Sequence, residues 1–160
     1  MGGAALGLPA LANVLVARRA KALPAPAWGD PEFYDWRDGT VCFRRLGSGP
    51  PIVLLHSFGA GHSSLQWRET AERLAGDHEV FVPDLLGWGD SDRPARTYDG
   101  ELYIQLINDF LIDVVRRRAV IGAAGLTCAY AVQVAIDQSE LVRALAMVVT
   151  LGVDLHGDEP

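Results

Sequence analysis

At 160 residues, 49% of them hydrophobic and 21% charged, the chain has the composition of one globular domain with a real core, not of a disordered segment. The formal net charge is -6 and Lys21 is the only lysine, with no basic stripe along any segment, which argues against nucleic acid as a partner. Cys42 and Cys128 stand far apart with no CxxC and no histidine at metal-ligand spacing, which argues against a disulfide framework and against a metal site, and makes a reducing, cytoplasmic compartment the default.

Residues 2–17 carry no charge, and Arg18, Arg19 and Lys21 follow at once. A helix of that length rises roughly 24 Å, short of a ~30 Å hydrocarbon core. No basic stretch precedes it, as a cleaved secretory signal would require. Residues 1–22 therefore read as an apolar helix lying on the domain surface, with a weak membrane anchor as the alternative. Residues 23–31 shift to Pro, Ala and Gly and read as a linker, and residues 32–160 carry the folded domain.

Within that domain, Phe33–Trp36 and Val41–Leu46 read as strands around the turn dipeptide Asp38-Gly39. Ile52–Leu55 is purely aliphatic, as in a strand buried on both faces. Ser64–Leu74 reads as a helix with Leu65, Trp67, Ala71 and Leu74 inward, and Glu79–Val82 as a strand. After an irregular stretch to Tyr98, residues 100–115 place Leu102, Leu106, Phe110 and Val114 at helical spacing, with Tyr103, Ile107 and Leu111 widening the stripe. Arg116, Arg117 and Arg118 then suit the negative pole of a helix end. Ala119–Ala123 is a strand, Leu126–Asp137 a helix and Leu145–Val149 a last strand. This alternation predicts an α/β fold, a doubly wound and mostly parallel sheet with helices on both faces. Ligands of such sheets bind outside the carboxyl ends of the strands, so the loops after Leu55, Val82, Ala123 and Val149 are the informative ones.

Two of those loops carry motifs. One reads Leu54-Leu55-His56-Ser57-Phe58-Gly59-Ala60-Gly61, and the other runs from Val82-Pro83-Asp84 through Gly87-Trp88-Gly89-Asp90-Ser91-Asp92 to Pro94. From about Trp36 to Val149 the chain resembles the α/β-hydrolase superfamily, in which a strand ends in His-Gly and a "DLPGFGxSD"-like loop follows the next strand. Ser57 stands where the family usually has glycine. The resemblance implies that the backbone N–H of Phe58 is one oxyanion donor, a group worth on the order of a hundredfold in rate. It also implies that His56 is structural and not the catalytic base. Ser57 and Trp88, one in each loop, are the candidate substrate contacts.

The family's nucleophile elbow, G-x-S-x-G, should fall in Gly122-Ala123-Ala124-Gly125-Leu126-Thr127-Cys128. One registration puts Gly125 at the nucleophile position and Leu126 as the second oxyanion N–H, and another puts Ala124 there. Neither residue can form a covalent intermediate, although glycine suits the positive-φ backbone of the turn. Thr127, or Cys128 with a thiol pKa lowered by the helix N-terminus, is the minor alternative. Counted against the family, the chain is expected to stop after about the sixth strand, before the strands that bear the usual acid and histidine. Asp154 would be an acid only in the members that place it after the sixth strand.

These readings lead to a catalytically impaired α/β-hydrolase homologue, or a fragment of a hydrolase acting on ester-like small molecules. The alternatives are a non-catalytic binding or scaffold module, and half of a split hydrolase completed by a second chain. No cofactor is implied. The expected partners are a small-molecule ligand and, through an exposed sheet edge with Leu145, Met147, Val148 and Val149 half covered, a partner chain or a second copy.

Overall fold

The computed structural model describes residues 28–149. A hairpin opens it: β1 (Pro31–Trp36) pairs antiparallel with β2 (Gly39–Gly47), pairing Trp36 with Gly39. The turn residues are thus Arg37 and Asp38, and Gly39 already starts the return strand. The expected helix over residues 1–22 lies outside the described residues. So does the linker up to residue 27, but its far end is built into the fold. Trp28 is buried and its carbonyl accepts a bond from Arg44 Nε, and Pro31 is already strand.

β3 (Pro51–Leu55) lies between β4 (Glu79–Pro83) and β5 (Ala119–Ala124) and runs parallel to both. β6 (Val142–Val148) is parallel to β5, and β2 closes antiparallel onto β4. The six-stranded order is β1-β2-β4-β3-β5-β6. The sheet is mixed, antiparallel at the hairpin end and parallel where the informative loops emerge. β6 starts at Val142, ahead of the expected Leu145: Arg143 interrupts the apolar run and is passed over by a register shift between the pairing of Ala119 with Val142 and that of Val120 with Ala144, after which the pairing continues.

All five residues of β3 are buried, as two-sided burial requires. Ile52 and Leu54 point to one face, with Val80, Val82 and Ala71, the last from α1 (Arg68–Leu74). Val53 and Leu55 point to the other, with Phe81, Ile121 and the helices α2 (Gly100–Phe110) and α3 (Thr127–Asp137). Helices therefore cover both faces. Each fully buried aliphatic side chain contributes about 1.5–3 kcal/mol.

The helix expected over 64–74 divides into a 3-10 turn, Ser64–Trp67, and then α1. Asp99 caps α2 by accepting the Leu102 N–H at 2.9 Å. Beyond Phe110 the chain widens into a π turn, Leu111–Val115, closed by the Arg116 N–H on the Leu111 carbonyl at 2.8 Å. One residue more per turn rotates the apolar stripe. Val115 is consequently buried, and Val114, expected inward, is only half-buried.

Candidate active site

The site sits where the loops after β3, β4 and β5 meet, and Asp84 organises it. Asp84 is 1% exposed; its carboxylate accepts the N–H groups of Ser64 at 2.6 Å and Asp90 at 3.0 Å, and pairs with Arg44 Nη1 at 3.1 Å. A Cβ at Gly89 would fall 2.1 Å from the Asp84 carboxyl carbon, so only glycine lets the loop wrap the carboxylate so closely. Ser91 Oγ donates to the Asp84 carbonyl and accepts the Cys42 N–H, tying the loop to β2. The Gly-x-Gly-x-Ser spacing after Asp84 is therefore the geometry of a clamp.

His56 is fully buried. Its Nε2 accepts the Leu85 N–H at 3.0 Å and its Nδ1 lies 2.8 Å from the Ser57 carbonyl. The accepting role of Nε2 leaves Nδ1 as the donor. Burial lowers the imidazole pKa, which keeps this neutral tautomer. With both nitrogens engaged, His56 joins the two loops and is not free to move protons. Ser57 is half-buried, and its own N–H donates to Gln66 Oε1 at 3.0 Å.

Across from this loop, Gly125 has φ 62 between the end of β5 and α3, so the sharp strand-to-helix turn stands at Gly125 while Ala124 remains in the strand. Its N–H donates to the Val148 carbonyl at 3.0 Å. The N–H groups of Phe58 and Leu126 donate no hydrogen bond among the described residues. A Cβ on Gly125 would come 2.2 Å from Ser57 Oγ, so the two loops are in contact at that point.

The alternative nucleophiles do not face the site. Thr127 is fully buried, with Oγ1 on the Ala124 carbonyl at 2.8 Å and near the Leu55 carbonyl at 3.4 Å. Cys128 is likewise buried, with Sγ 3.3 Å from the Ala123 carbonyl. Burial pushes its thiol pKa up, the reverse of the lowering expected from a helix N-terminus, because desolvation outweighs the N–H groups. Asp154 lies outside the described residues.

Phe58 and Trp88 stack with centroids 5.2 Å apart and planes at 11°, and Phe58 also meets Tyr103 at 4.6 Å and Tyr130 at 6.0 Å. Trp88 Nε1 donates to the Tyr103 hydroxyl, which donates in turn to the Leu86 carbonyl. A cavity of about 340 Å³ adjoins this wall, lined by Gly87, Trp88, Arg93, Pro94, Tyr98 and Tyr103. Trp88, expected as a substrate contact, thus stands in one wall with Tyr103, expected only as an inward residue of its helix, and with Tyr130. Behind the wall, Cys42, Asp84 and Asp90 converge, but the Arg44 guanidinium bonds all three and supplies the cation itself. No helix among the described residues is long and apolar enough to cross a membrane.

Residues 52–158 match the model of the Alpha/beta hydrolase family. An uncharacterized protein of Mycobacterium tuberculosis is 37% identical over 111 residues, covering 69% of this chain and 32% of that protein. The 2-hydroxy-6-oxo-6-(2'-aminophenyl)hexa-2,4-dienoic acid hydrolase of Metapseudomonas resinovorans is 31% identical over 121 residues, 72% of this chain and 41% of that enzyme. The chain thus spans well under half the length of both. Among solved structures, a serine hydrolase involved in carbazole degradation (the CarC enzyme) superposes with a TM-score of 0.74 at 27% identity, over 81% of this chain and 51% of that one.

Proposed function

Because the chain belongs to the alpha/beta hydrolase family, we propose that it is a catalytically impaired member, which keeps a hydrolase-type pocket for ester-like small molecules but has lost the covalent chemistry of the elbow. One observation carries the reading: the left-handed turn between β5 and α3 is occupied by Gly125, which has no side chain. A glycine relaxes the strain of that turn and removes the atom that would attack. The N–H groups of Phe58 and Leu126, which have no acceptor among the described residues, fit an oxyanion hole. The aromatic wall of Phe58, Trp88, Tyr103 and Tyr130 suits an apolar acyl or aryl group, and likeness to a hydrolase of an aminophenyl dienoic acid is in keeping with a small organic ligand.

The test pairs turnover with binding. Short-chain p-nitrophenyl esters should be hydrolysed far below the 1–1,000 per second of ordinary enzymes, while slowly hydrolysed aryl esters should still raise the melting temperature. Turnover in the ordinary range would overturn the reading.

The outer edge of β6 favours a second reading. No strand pairs with that edge among the described residues, and Met147 and Val148 are exposed beside it. A further strand from a partner chain or a second copy would satisfy its N–H and C=O groups.

A further inference from the structure

We propose that Ser57 has taken over the place of the missing nucleophile, so that whatever acyl transfer the site retains runs through the Ser57 hydroxyl from the opposite loop. The inference rests on reading position 125 as the elbow. A Cβ built on Gly125 falls 2.2 Å from Ser57 Oγ, 3.1 Å from Ser57 Cβ and 3.9 Å from Ser57 Cα. The hydroxyl is therefore the nearest of these atoms and points into the volume that a side chain on residue 125 would occupy. Where the resemblance leads one to expect glycine in the first loop and a nucleophile in the second, the chain has a hydroxyl in the first and glycine in the second, and the two fill one space.

The surroundings suit a reactive group. Both backbone groups of Ser57 are fixed, the N–H by Gln66 and the carbonyl by His56, so the residue is held in place on both sides. The N–H of Phe58, the residue directly after Ser57, and the N–H of Leu126 both donate to no acceptor among the described residues. An oxyanion formed by attack from Ser57 would thus find the same pair of donors that serves an elbow nucleophile. The other two candidates, Thr127 and Cys128, spend their side chains on inward carbonyls. Phe58, Tyr103 and Trp88 provide apolar surface beside the hydroxyl.

The step balances simply. Ser57 Oγ bonds to the acyl carbon, the bond from that carbon to the leaving oxygen breaks, and the hydroxyl proton passes to water. With a fluorophosphonate the new bond is Oγ–P, and fluoride and a proton are released. His56 is not available to take the proton, since both of its nitrogens are engaged. Slow, stoichiometric acylation is the expected behaviour.

The experiment is labelling of the full-length protein with a biotinylated fluorophosphonate, followed by peptide mass spectrometry. The expected adduct is on Ser57, and Ser57→Ala should lose labelling by more than about a hundredfold. In the double variant Ser57→Gly/Gly125→Ser the adduct should move to position 125. Should Ser57→Ala fold poorly, Ser57→Cys gives a second readout, since its thiol should alkylate with iodoacetamide well before the buried Cys42 and Cys128. An unlabelled wild-type protein would make Ser57 a space-filler and overturn this inference while leaving the impaired-hydrolase reading intact. An adduct on Thr127 or Cys128, or ester turnover at ordinary rates in Ser57→Ala, would overturn both.

Discussion

The Leu85 N–H donates to His56 Nε2 at 3.0 Å, a single bond that joins the loop after β3 to the loop after β4 inside a fully buried contact. Protonation of His56 would place two donors face to face there. Burial lowers its pKa below the ordinary 6.5, so the unfolded chain takes up a proton before the folded one does. The stability contributed by neutral His56 is complete above pH 6.5 and is lost as pH falls through the lowered folded value. Melting temperature should accordingly drop between pH 7.5 and pH 5. His56→Gln should melt lower at neutral pH but show a flatter acid slope, and an unchanged slope would contradict this account.

The contact between Ser57 and position 125 should appear as coupling. Gly125→Ala forces a side chain into left-handed backbone at about 1–2 kcal/mol, and also drives its Cβ against Ser57 Oγ. Made together with Ser57→Gly, the same change meets no hydroxyl and should cost less. Urea unfolding of the four proteins should give a coupling energy of about 0.5–3 kcal/mol, as for residues in contact. Strict additivity would mean that the two loops do not touch.

Asp84→Ala removes the buried one of the two carboxylates that pair with Arg44, whose side chain is 7% exposed, and leaves the Ser64 and Asp90 N–H groups without this acceptor. Breaking a buried pair from one side costs about 3–5 kcal/mol, and urea unfolding should register that loss. Asp84→Asn retains an acceptor oxygen and should cost less.

Met147 and Val148 are 44% and 48% exposed on β6, the outermost parallel strand. Residues 1–160 expressed alone should associate increasingly with concentration, as read by light scattering after size exclusion. Met147→Lys should shift the population toward monomer, since a charge on an edge strand opposes pairing. A monodisperse monomer throughout would show that this edge is not adhesive.

Much of this arrangement was legible in the sequence because it is written locally. The aliphatic run Ile52–Leu55 marked a central strand, the glycine-spaced loop from Asp84 to Asp92 marked the family, and the small residues Gly122–Gly125 marked a strand-to-helix turn whose apex the sequence left open between Ala124 and Gly125. What escaped was either non-local or a matter of helix pitch. The π turn at Leu111–Val115 moves Val115 inward without any departure from an α-helical pattern. The Arg44 cluster and the Ser57–Gly125 contact each join positions far apart in the chain, and no periodicity records them. In the sequence Ser57 is a departure from the family's glycine and a candidate substrate contact, and nothing local says that its hydroxyl fills the space beside Gly125.

The strand order also has a consequence for timing. β3 carries the Ser57 loop, yet both of its neighbours are made after it: Val53 pairs with Phe81 and with Ile121. At roughly 5–20 residues per second of synthesis, the apolar β3 waits several seconds for its second neighbour, in need of a chaperone or of transient cover from nascent helices. The loop bearing Ser57 is thus made before the turn bearing Gly125, and the contact between them can close only once residue 125 has been synthesised.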